Sequence, residues 1–587
     1  MLLTEELSSL VGAAFAAEGY DPSYGAVRVS DRPDLAQFQC NGALAAAKQA
    51  KANPRAVGEK IAARLKSEIL FADVSSAGAG FINMTLTDAA LDMRTATLTT
   101  DAALGGWAAP SAETIILDFG GPNVAKPLHV GHLRAAIIGE CLKRLLRFAG
   151  HKVIGDIHMG DWGLPMGQII AEVKREQPGL PYFDAAFSGP YPDESPVSLD
   201  DLQRLYPQAS NACKADPARA AEAREATAEL QAGRPGYRAL WKHFVDISKT
   251  AIKREYDDLG VSFDWWKGES DVDRLIAPMV DALRAQGLAV EDAGAIVMRV
   301  ARADDKKEHP PLILYKSDGA VMYGTTDLAT IIDRRDTAHP DRILYVVDGR
   351  QRDHFEQVFR ASDLADIYPE KRLEHLWFGT MNGKDGKPFK TRVGGVLKLR
   401  DLIDMVEERA AERLRENGFG EGYGAAEAAD VARRIGLAAL KFADLSNPRT
   451  SDYSFDLDRF MAFEGKTGPY LHYASVRVRS VLKKAEAAGA GAPGPIRIGA
   501  AEERELVLTL LQFGEAVKDS VARRLPHFLC EHAFNLAQAF SKFYAACRMV
   551  DEADAATRAS RLSLASATGR QLDLVLTLLG MPAPEKM

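Results

Sequence analysis

The amino-acid sequence is poor in cysteine and contains no long apolar run. Its 5 cysteines are scattered, odd in number and include no CxxC pair, which argues against a disulfide framework or a thiolate zinc site and favours a reducing compartment. No apolar run reaches the roughly 18 residues of a membrane span. The first segment has helical apolar spacing and carries Glu5 and Glu6 where a signal peptide would carry Lys or Arg. We therefore expect a cytoplasmic protein without a membrane segment.

The chain also has little excess charge of either sign. Lys and Arg total 73 against 81 Asp and Glu, so the formal net charge is −8. This balance gives no general attraction for nucleic acid, although basic faces can still bind one locally. With 47% hydrophobic and 26% charged residues, the composition excludes a disordered or collagen-like chain. The length of 587 residues predicts three or four domains at about 150 residues each.

Common phosphate-binding and zinc-protease signatures are missing as well. The sequence contains neither GxxxxGK followed by Ser or Thr nor HExxH. The glycine-rich segment Gly418–Gly424 matches GxGxxG only loosely, and it follows a helical pattern where a dinucleotide site would require a strand. We interpret this segment as a linker.

Three regions differ in their apolar patterns. Residues 1–105 mix helical and strand-like patterns and predict an α+β domain. Residues 106–425 alternate helical segments with apolar runs, which predicts an α/β domain whose parallel sheet is covered by helices. These runs are Ile115–Leu117, Val153–Ile154, Leu312–Leu314 and Ile343–Val347. Residues 426–587 predict an all-α bundle with a linker at 486–495, and residues 183–235 predict an insertion that contains a helix.

The strongest local signal is a strand, a Gly/Pro loop and an amphipathic helix in that order. His129 and His132 occupy the predicted first turn of the helix, with Gly131 between them and Lys126 three residues upstream. Gly131 lets a flat ligand approach the backbone, and a helix N-terminus favours phosphate. Paired histidines can also simply cap or pack a helix. Their position at a strand-to-helix turn, next to Lys126, favours a nucleotide site.

This stretch, PNVAKPLHVGHLR, resembles the HIGH motif of class I aminoacyl-tRNA synthetases, and more specifically the arginyl-tRNA synthetase family. The resemblance extends along nearly the whole chain, and several long motifs in the family's order are more specific than one HxGH. They are GDWG at 160–163, KSDGAVMYGTTDLA at 316–329, YVVDGRQRDHF at 345–355, GKDGKPFKTRVGG at 383–395, FEGKTGPYLHYA at 463–474, and the ending LLGMPAPEKM. The resemblance implies a Rossmann-type catalytic domain at 106–425.

The reaction that the resemblance implies has two steps. Arginine attacks the α-phosphorus of ATP, and the resulting adenylate acylates the terminal adenosine of the cognate arginine tRNA. The implied ATP-binding residues are His129, Gly131, His132, Lys126, Lys387, Lys390 and Arg392. Of these, His129, His132, Lys126 and Lys390 are implied to be catalytic. Mg²⁺ is expected with ATP, but it usually keeps water and substrate oxygens, so no metal ligand is assigned to the protein.

The loop at 387–392 departs from the KMSK pattern of many class I enzymes. If Arg392 aligns with the residue after that motif, Thr391 stands where the second lysine would be, and the resemblance then implies Lys126 as the substitute. A plain solvated hairpin is the alternative, because Asp385 and Gly386 form a strong turn signal.

Arginine requires anionic groups, since a planar guanidinium is best met by carboxylates. If the segment after Ala320 is helical, Tyr323 and Asp327 lie one turn apart on the same face. By resemblance to the family, the arginine-binding residues are Asn123, Glu269, Tyr323, Asp327 and Gln351. Glu269 and Asp327 would hold the guanidinium, Tyr323 would pack on it or bond to it, and the two amides would hold the α-amino and carboxylate ends. Asp348 and His354 lie nearby in the sequence without an assigned role.

The all-α region concentrates basic and aromatic residues, which suits an anticodon loop. The resemblance implies an anticodon-binding domain at 426–587 and a domain that meets the tRNA elbow at 1–105. The candidate tRNA-binding residues are Phe81, Asn83, Tyr470, Arg477 and Arg479. Any single basic patch can also be an ordinary solvated helix face. We expect a monomer whose partners are this tRNA, L-arginine and ATP.

Two other functions fit part of the sequence. One is a class I synthetase for another amino acid, or a small nucleotidyltransferase that shares HxGH. The pair Glu269 and Asp327 argues for a cationic substrate, and the long helical region argues against a minimal nucleotidyltransferase. The other is a synthetase-like RNA-binding protein without catalysis. The presence of His129, His132 and Lys126 argues against this alternative.

Overall fold

A computed structural model of the protein describes residues 2–32, 35–307, 309–383, 386–387 and 397–587. The chain forms two compact units. The first comprises Met1–Ala108, Phe463–Leu578 and Pro582–Met587, and the second comprises Ala109–Ala462 and Leu579–Met581. Among the described residues, no helix combines the length and the apolar character that a membrane crossing requires.

The first unit begins with a small antiparallel sheet and its covering helices. Its elements are α1 (Leu3–Ala17), β1 (Val27–Val29), β2 (Phe38–Cys40), α2 (Gly42–Ala50), α3 (Pro54–Leu65), β3 (Phe71–Ala77), β4 (Phe81–Leu86) and α4 (Asp88–Thr100). The strands are ordered β1-β2-β4-β3. The amphipathic helix predicted at the start of the chain is confirmed by α1, which buries Leu7, Val11 and Phe15.

The second unit is built on a parallel sheet. Its elements are β5 (Thr114–Phe119), α5 (Val130–Phe148), β6 (Lys152–Met159), α6 (Leu164–Glu176), α7 (Leu199–Ala215), α8 (Pro217–Gln231), α9 (Pro235–Asp258), β7 (Trp265–Gly268), α10 (Glu269–Ala285), β8 (Ala289–Asp292), β9 (Ala295–Met298), β10 (Leu312–Tyr315), α11 (Tyr323–Ala338), β11 (Arg342–Val346), α12 (Arg352–Leu364), β12 (Leu373–His375), β13 (Met381–Asn382), α13 (Leu399–Glu416), α14 (Ala425–Leu445), β14 (Tyr453–Ser454) and α15 (Leu457–Phe460).

Five parallel strands lie in the order β12-β11-β5-β6-β7. From β5 the sheet therefore grows toward one edge with β6 and β7. Later in the chain, β11 and β12 are added on the other side of β5. Such a reversal opens a crevice at the carboxyl ends of the two central strands, where ligands bind in folds of this kind. The middle of β5 is fully buried at Ile115, Ile116 and Leu117, as a strand covered on both faces requires.

One of the apolar runs does not join the parallel sheet. The run at Leu312–Leu314 lies in β10, which pairs antiparallel with β9 in a separate three-stranded sheet, and Ile313 is exposed. Strands β8 and β9 are joined by a turn at 293–294. Because no crossover helix separates these two strands, they pair antiparallel, and β10 follows the same arrangement.

The insertion at 183–235 contains α7, α8 and the start of α9, which share an apolar core with α6. The second unit continues past the predicted boundary at 425 to Ala462, because α14 packs against both α13 and α5. The glycine-rich Gly418–Gly424 connects α13 to α14.

The remaining helices complete the first unit. They are α16 (Gly468–Ala487), α17 (Ala501–Leu511), α18 (Phe513–Arg523), α19 (His527–Ala546) and α20 (Ala555–Leu578). The Gln571 side chain donates to the carbonyl oxygens of Leu104, at 3.0 Å, and Leu510, at 3.1 Å. The N-terminal sheet region and the helical bundle are therefore packed together in one compact unit.

Candidate active site

The loop between β5 and α5 is held tightly at the carboxyl edge of the parallel sheet. The Ala125 N–H donates to the Ser248 hydroxyl at 3.0 Å, and Ala125 has a left-handed φ of 65°. Asn123 pairs with Gly160 in an isolated parallel bridge. A Cβ atom at Gly160 would lie 2.1 Å from Asn123 Oδ1, so the absence of a side chain at Gly160 lets the Asn123 amide lie against the backbone there. The loop is thus fixed before any ligand binds.

His129 and His132 cap the start of α5 reciprocally. The Gly131 N–H donates to His129 Nδ1 at 3.0 Å, and the His129 N–H donates to His132 Nδ1 at 3.1 Å. The ring centroids are 4.0 Å apart. Because each Nδ1 accepts a backbone hydrogen bond, the neutral rings carry their protons on Nε2.

The electrostatic surroundings keep both histidines uncharged. Burial lowers the pKa of His132 to about 3, and His129 and Lys126 contribute to the same shift. Burial and Lys126 also lower the pKa of His129. At neutral pH the pair therefore offers two Nε2–H donors and no acid that titrates near pH 7.

The segment that follows the basic loop implied by the sequence pairs with the chain beside these histidines. The Val130 N–H donates to the Leu397 carbonyl at 3.0 Å, and the Leu399 N–H donates to the Leu128 carbonyl at 2.9 Å. Lys387 is exposed, and its carbonyl accepts the Gly383 N–H at 2.8 Å. The predicted Lys390 and Arg392, together with Thr391, lie outside the described residues.

Glu269 occupies the first position of α10, at the carboxyl end of β7. Burial raises the pKa of Glu269 to about 8, with further contributions from Asp161 and Asp327. Asp161, within the GDWG motif, accepts hydrogen bonds from the Ser270 N–H at 3.0 Å and the Ser270 hydroxyl at 2.6 Å. This contact fixes the start of α10, and with it Glu269.

Asp327 and Tyr323 lie one turn apart on α11, as predicted. Asp327 Oδ2 lies 2.6 Å from His354 Nε2. Burial opposes protonation of His354, but the hydrogen bond and charge of Asp327 prevail and raise its pKa. Tyr323 is 70% exposed, yet partial burial raises the pKa of its phenol, and Glu269 and Tyr206 add to this shift. Glu269, Tyr323 and Asp327 therefore share one electrostatic neighbourhood.

The two predicted amides lie at the same edge of the sheet. Asn123 follows β5, and Gln351 ends the short 3₁₀ turn Gly349–Gln351 that follows β11. Both side chains are exposed. The neighbouring Asp348 bonds to Arg350 at 2.8 Å, so its carboxylate is already engaged.

Sequence reasoning missed a buried charge cluster beneath the crevice. Asp118 and Asp156 lie opposite each other in the β5–β6 register, and Arg334 of α11 bridges them. Its guanidinium lies 2.5 Å from Asp118 Oδ2 and 2.7 Å from Asp156 Oδ2. Two adjacent buried carboxylates require such a cation. Acidic residues within two apolar strands were the available signal.

The predicted tRNA-binding residues of the first unit differ in accessibility. Phe81 is half-buried at the start of β4. Asn83 is buried, and its Oδ1 accepts from Gln39 Nε2 at 2.9 Å. Asn83 is therefore already engaged within the β2–β4 pair.

The candidates in the helical bundle also contact their own chain. The Tyr470 ring packs edge-on against Phe534, with centroids 5.8 Å apart, and Arg477 lies over the Tyr544 ring at 4.4 Å. Arg479 donates to the Pro584 carbonyl at 2.9 Å and to the Ser475 hydroxyl at 2.7 Å. Tyr470 and Arg477 remain half-buried on α16.

A reversed parallel sheet with an HxGH turn after its central strand is the arrangement that a class I aminoacyl-tRNA synthetase requires. Family models match at three places: the tRNA synthetases class I (R) catalytic domain over 94–457, the DALR anticodon binding domain over 471–587, and the arginyl tRNA synthetase N terminal domain over 2–86. The chain belongs to the arginyl-tRNA synthetase family. The predicted combination of an α+β N-terminal region, a Rossmann-type catalytic region and a helical C-terminal region is confirmed.

Curated relatives and solved structures agree with this family. Arginine–tRNA ligases from Hyphomonas neptunium and Maricaulis maris are each 54% identical to the chain, with 100% of both chains covered. The crystal structure of arginyl-tRNA synthetase from Plasmodium falciparum has a TM-score of 0.82 and 25% identity, covering 100% of this chain and 99% of that one. The Thermus thermophilus arginyl-tRNA synthetase shares the fold, with a TM-score of 0.79 at 21% identity, and full coverage of both chains.

Proposed function

We propose that this chain attaches L-arginine to arginine tRNA and that both steps take place in the crevice between β5 and β11. The chain is an arginine–tRNA ligase. One observation carries the location of the reaction. Two neutral histidine Nε2–H donors at a helix N-terminus lie at the same sheet edge as two carboxylates, Glu269 and Asp327.

In the first step, the carboxylate of arginine attacks the α-phosphorus of ATP and pyrophosphate leaves. Phosphoryl-type transfer depends on positioning and on stabilising charge on the phosphate oxygens. His129 and His132 donate from Nε2, and Lys126 supplies a positive charge close to both rings. The dipole of α5 adds a partial positive charge at its N-terminus.

The arginine side chain is held by opposite charge. The guanidinium lies between Glu269 and Asp327 and replaces His354 as the partner of Asp327. Tyr323 covers the guanidinium from the open side of the crevice. Asn123 and Gln351 hold the α-amino and carboxylate ends, because their amides both lie exposed at this edge.

The basic loop contributes further cations to the triphosphate. Lys387, Lys390 and Arg392 act here, and the pairing of Leu397 and Leu399 with the histidine turn returns the chain to the crevice. Mg²⁺ enters with ATP and is held by phosphate oxygens and water. Within the described ranges, no cluster of three or more His, Cys, Asp or Glu side chains could hold a metal ion.

In the second step, a hydroxyl of the terminal adenosine of tRNA attacks the carbonyl of arginyl-adenylate, and AMP leaves. The anticodon loop binds the helical bundle through Tyr470, Arg477 and Arg479, and the tRNA elbow meets the N-terminal region at Phe81 and Asn83. The match to an anticodon binding domain over 471–587 supports the first of these contacts. The enzyme acts as a monomer in the cytoplasm.

Aminoacylation with each of the twenty amino acids tests this proposal. We expect only arginine to be charged efficiently. Asp327→Ala should raise the KM for arginine by about 30- to 4,000-fold, because loss of one partner of a desolvated charge pair costs about 2–5 kcal/mol. Asp336→Ala is the matched control, since Asp336 is an exposed residue on the same helix that pairs with Arg335. Equal charging with lysine, or an unchanged KM in Asp327→Ala, would contradict the arginine pocket.

A further inference from the structure

The insertion helix α7 presents two side chains to lysines that flank the histidine turn. The Tyr206 ring lies under the Lys126 ammonium, with the nitrogen 4.6 Å from the ring centroid. Gln203, one turn earlier on α7, accepts a hydrogen bond from Lys398 at 3.1 Å. Lys398 itself pairs with His129 in an antiparallel bridge. One helix face therefore contacts both Lys126, just before the histidine turn, and Lys398, in the distant segment that pairs with this turn.

Helix α7 is a firm support for these contacts. Its adjoining face buries Leu202 and Leu205 in the core shared with α6. Arg204 forms a two-point ion pair with Glu176 at the end of α6, at 2.7 and 2.9 Å. The Tyr206 ring also packs against this core. Its position is thus set by packing, independently of Lys126.

An aromatic ring suits a lysine that must keep its charge. The face of a tyrosine attracts an ammonium without neutralising it, whereas a carboxylate partner would compete with phosphate. Among the residues that the structure describes, no carboxylate pairs with Lys126. An ammonium resting on a ring face still directs N–H donors away from the ring.

We propose that Tyr206 is a positioning residue for Lys126: its ring holds the ammonium beside the histidine pair, ready for the phosphates of ATP. This inference rests on the proposed function, in which Lys126 acts on the triphosphate. It assigns the insertion helix α7 a part in ATP binding, although α7 belongs neither to the parallel sheet nor to the turn that carries the histidines.

A double-mutant cycle tests the assignment, with kcat and the KM for ATP and for arginine measured by aminoacylation. The variants are Tyr206→Leu, Tyr206→Phe, Lys126→Ala and the double variant Tyr206→Leu/Lys126→Ala. We expect Tyr206→Leu to lower kcat/KM for ATP about three- to thirty-fold, because a cation–π contact of this kind is lost. Tyr206→Phe should retain nearly full activity, because phenylalanine keeps the ring. The KM for arginine should stay the same.

In the Lys126→Ala background, Tyr206→Leu should have no further effect on kcat/KM for ATP. Equal losses with and without Lys126 would overturn the proposal, because they would mean that Tyr206 acts through the fold. A change confined to the KM for arginine would also overturn it, since Tyr206 would then act through Tyr323. Arg204→Ala controls for general loosening of α7 and should keep wild-type kinetics. If wild-type enzyme charged no arginine, or Lys126→Ala were fully active, the failure would lie in the proposed function instead.

Discussion

Arginine should bind more tightly as the pH rises toward 8, because Glu269 must lose its proton before it can pair with a guanidinium. Burial, with Asp161 and Asp327, raises the pKa of Glu269 to about 8. A carboxyl group with a raised pKa keeps its proton below that pH and becomes anionic above it. The value of kcat/KM for arginine should therefore increase with pH and level off above about 8.

The size of the effect follows from this pKa. At pH 7 the Glu269 side chain is ionised in about one tenth of the molecules. Ionising it for arginine binding costs about 1.4 kcal/mol of binding free energy at this pH. Between pH 6.5 and 8.5 the ionised fraction grows about 25-fold, and kcat/KM for arginine should grow in proportion. His354 acts in the same direction, because its protonated form pairs with Asp327 and repels the incoming guanidinium.

Aminoacylation at saturating ATP and tRNA, across this pH range at constant ionic strength, measures the profile. Glu269→Gln should raise the KM for arginine and lose the rise near pH 8. Asp281→Asn is the control, since Asp281 is exposed on the same helix and its loss should leave the profile unchanged. Calorimetry in two buffers should detect about 0.9 proton released by Glu269 per arginine bound at pH 7, measured as the difference between the wild type and Glu269→Gln. A flat wild-type profile, or the same rise in Glu269→Gln, would refute the reasoning.

Two further predictions concern the histidine pair and the buried charge cluster. His132→Asn keeps an acceptor for the capping bond but loses Nε2, so kcat should fall about 10²- to 10³-fold with little change in the KM for arginine. Normal turnover in steady-state assays would mean that His132 is structural. Arg334→Met leaves Asp118 and Asp156 buried without a counter-charge. It should lower the free energy of unfolding, measured in urea, by about 3–5 kcal/mol. The exposed ion pair of Lys253 and Asp257 provides the control, because Lys253→Met should change the free energy of unfolding by less than about 0.5 kcal/mol. A loss that small in Arg334→Met would contradict the prediction.

Local features of the site were predictable from the sequence because they depend on short spacings. The interval between His129 and His132 predicts neighbouring imidazoles on a first helical turn, and the structure has them 4.0 Å apart. The spacing of Tyr323 and Asp327 likewise predicts one helix face. Both spacings lie within a single element, where geometry follows directly from helical periodicity.

Features that depend on strand order could not be derived in this way. An apolar run such as Leu312–Leu314 predicts a strand but not its partner, and this one pairs antiparallel outside the main sheet. The Asp118–Asp156–Arg334 cluster forms only because β5 and β6 are neighbours and α11 covers both. Tyr206 reaches Lys126 from an insertion whose packing no local pattern reveals. Residues far apart in the chain meet at these places through tertiary packing alone.

A structure of the enzyme with a non-hydrolysable analogue of arginyl-adenylate tests the central claim most directly. We expect the guanidinium between Glu269 and Asp327, and the phosphate within hydrogen-bond distance of Nε2 of His129 and His132. A guanidinium held elsewhere, or a phosphate away from the start of α5, would contradict it.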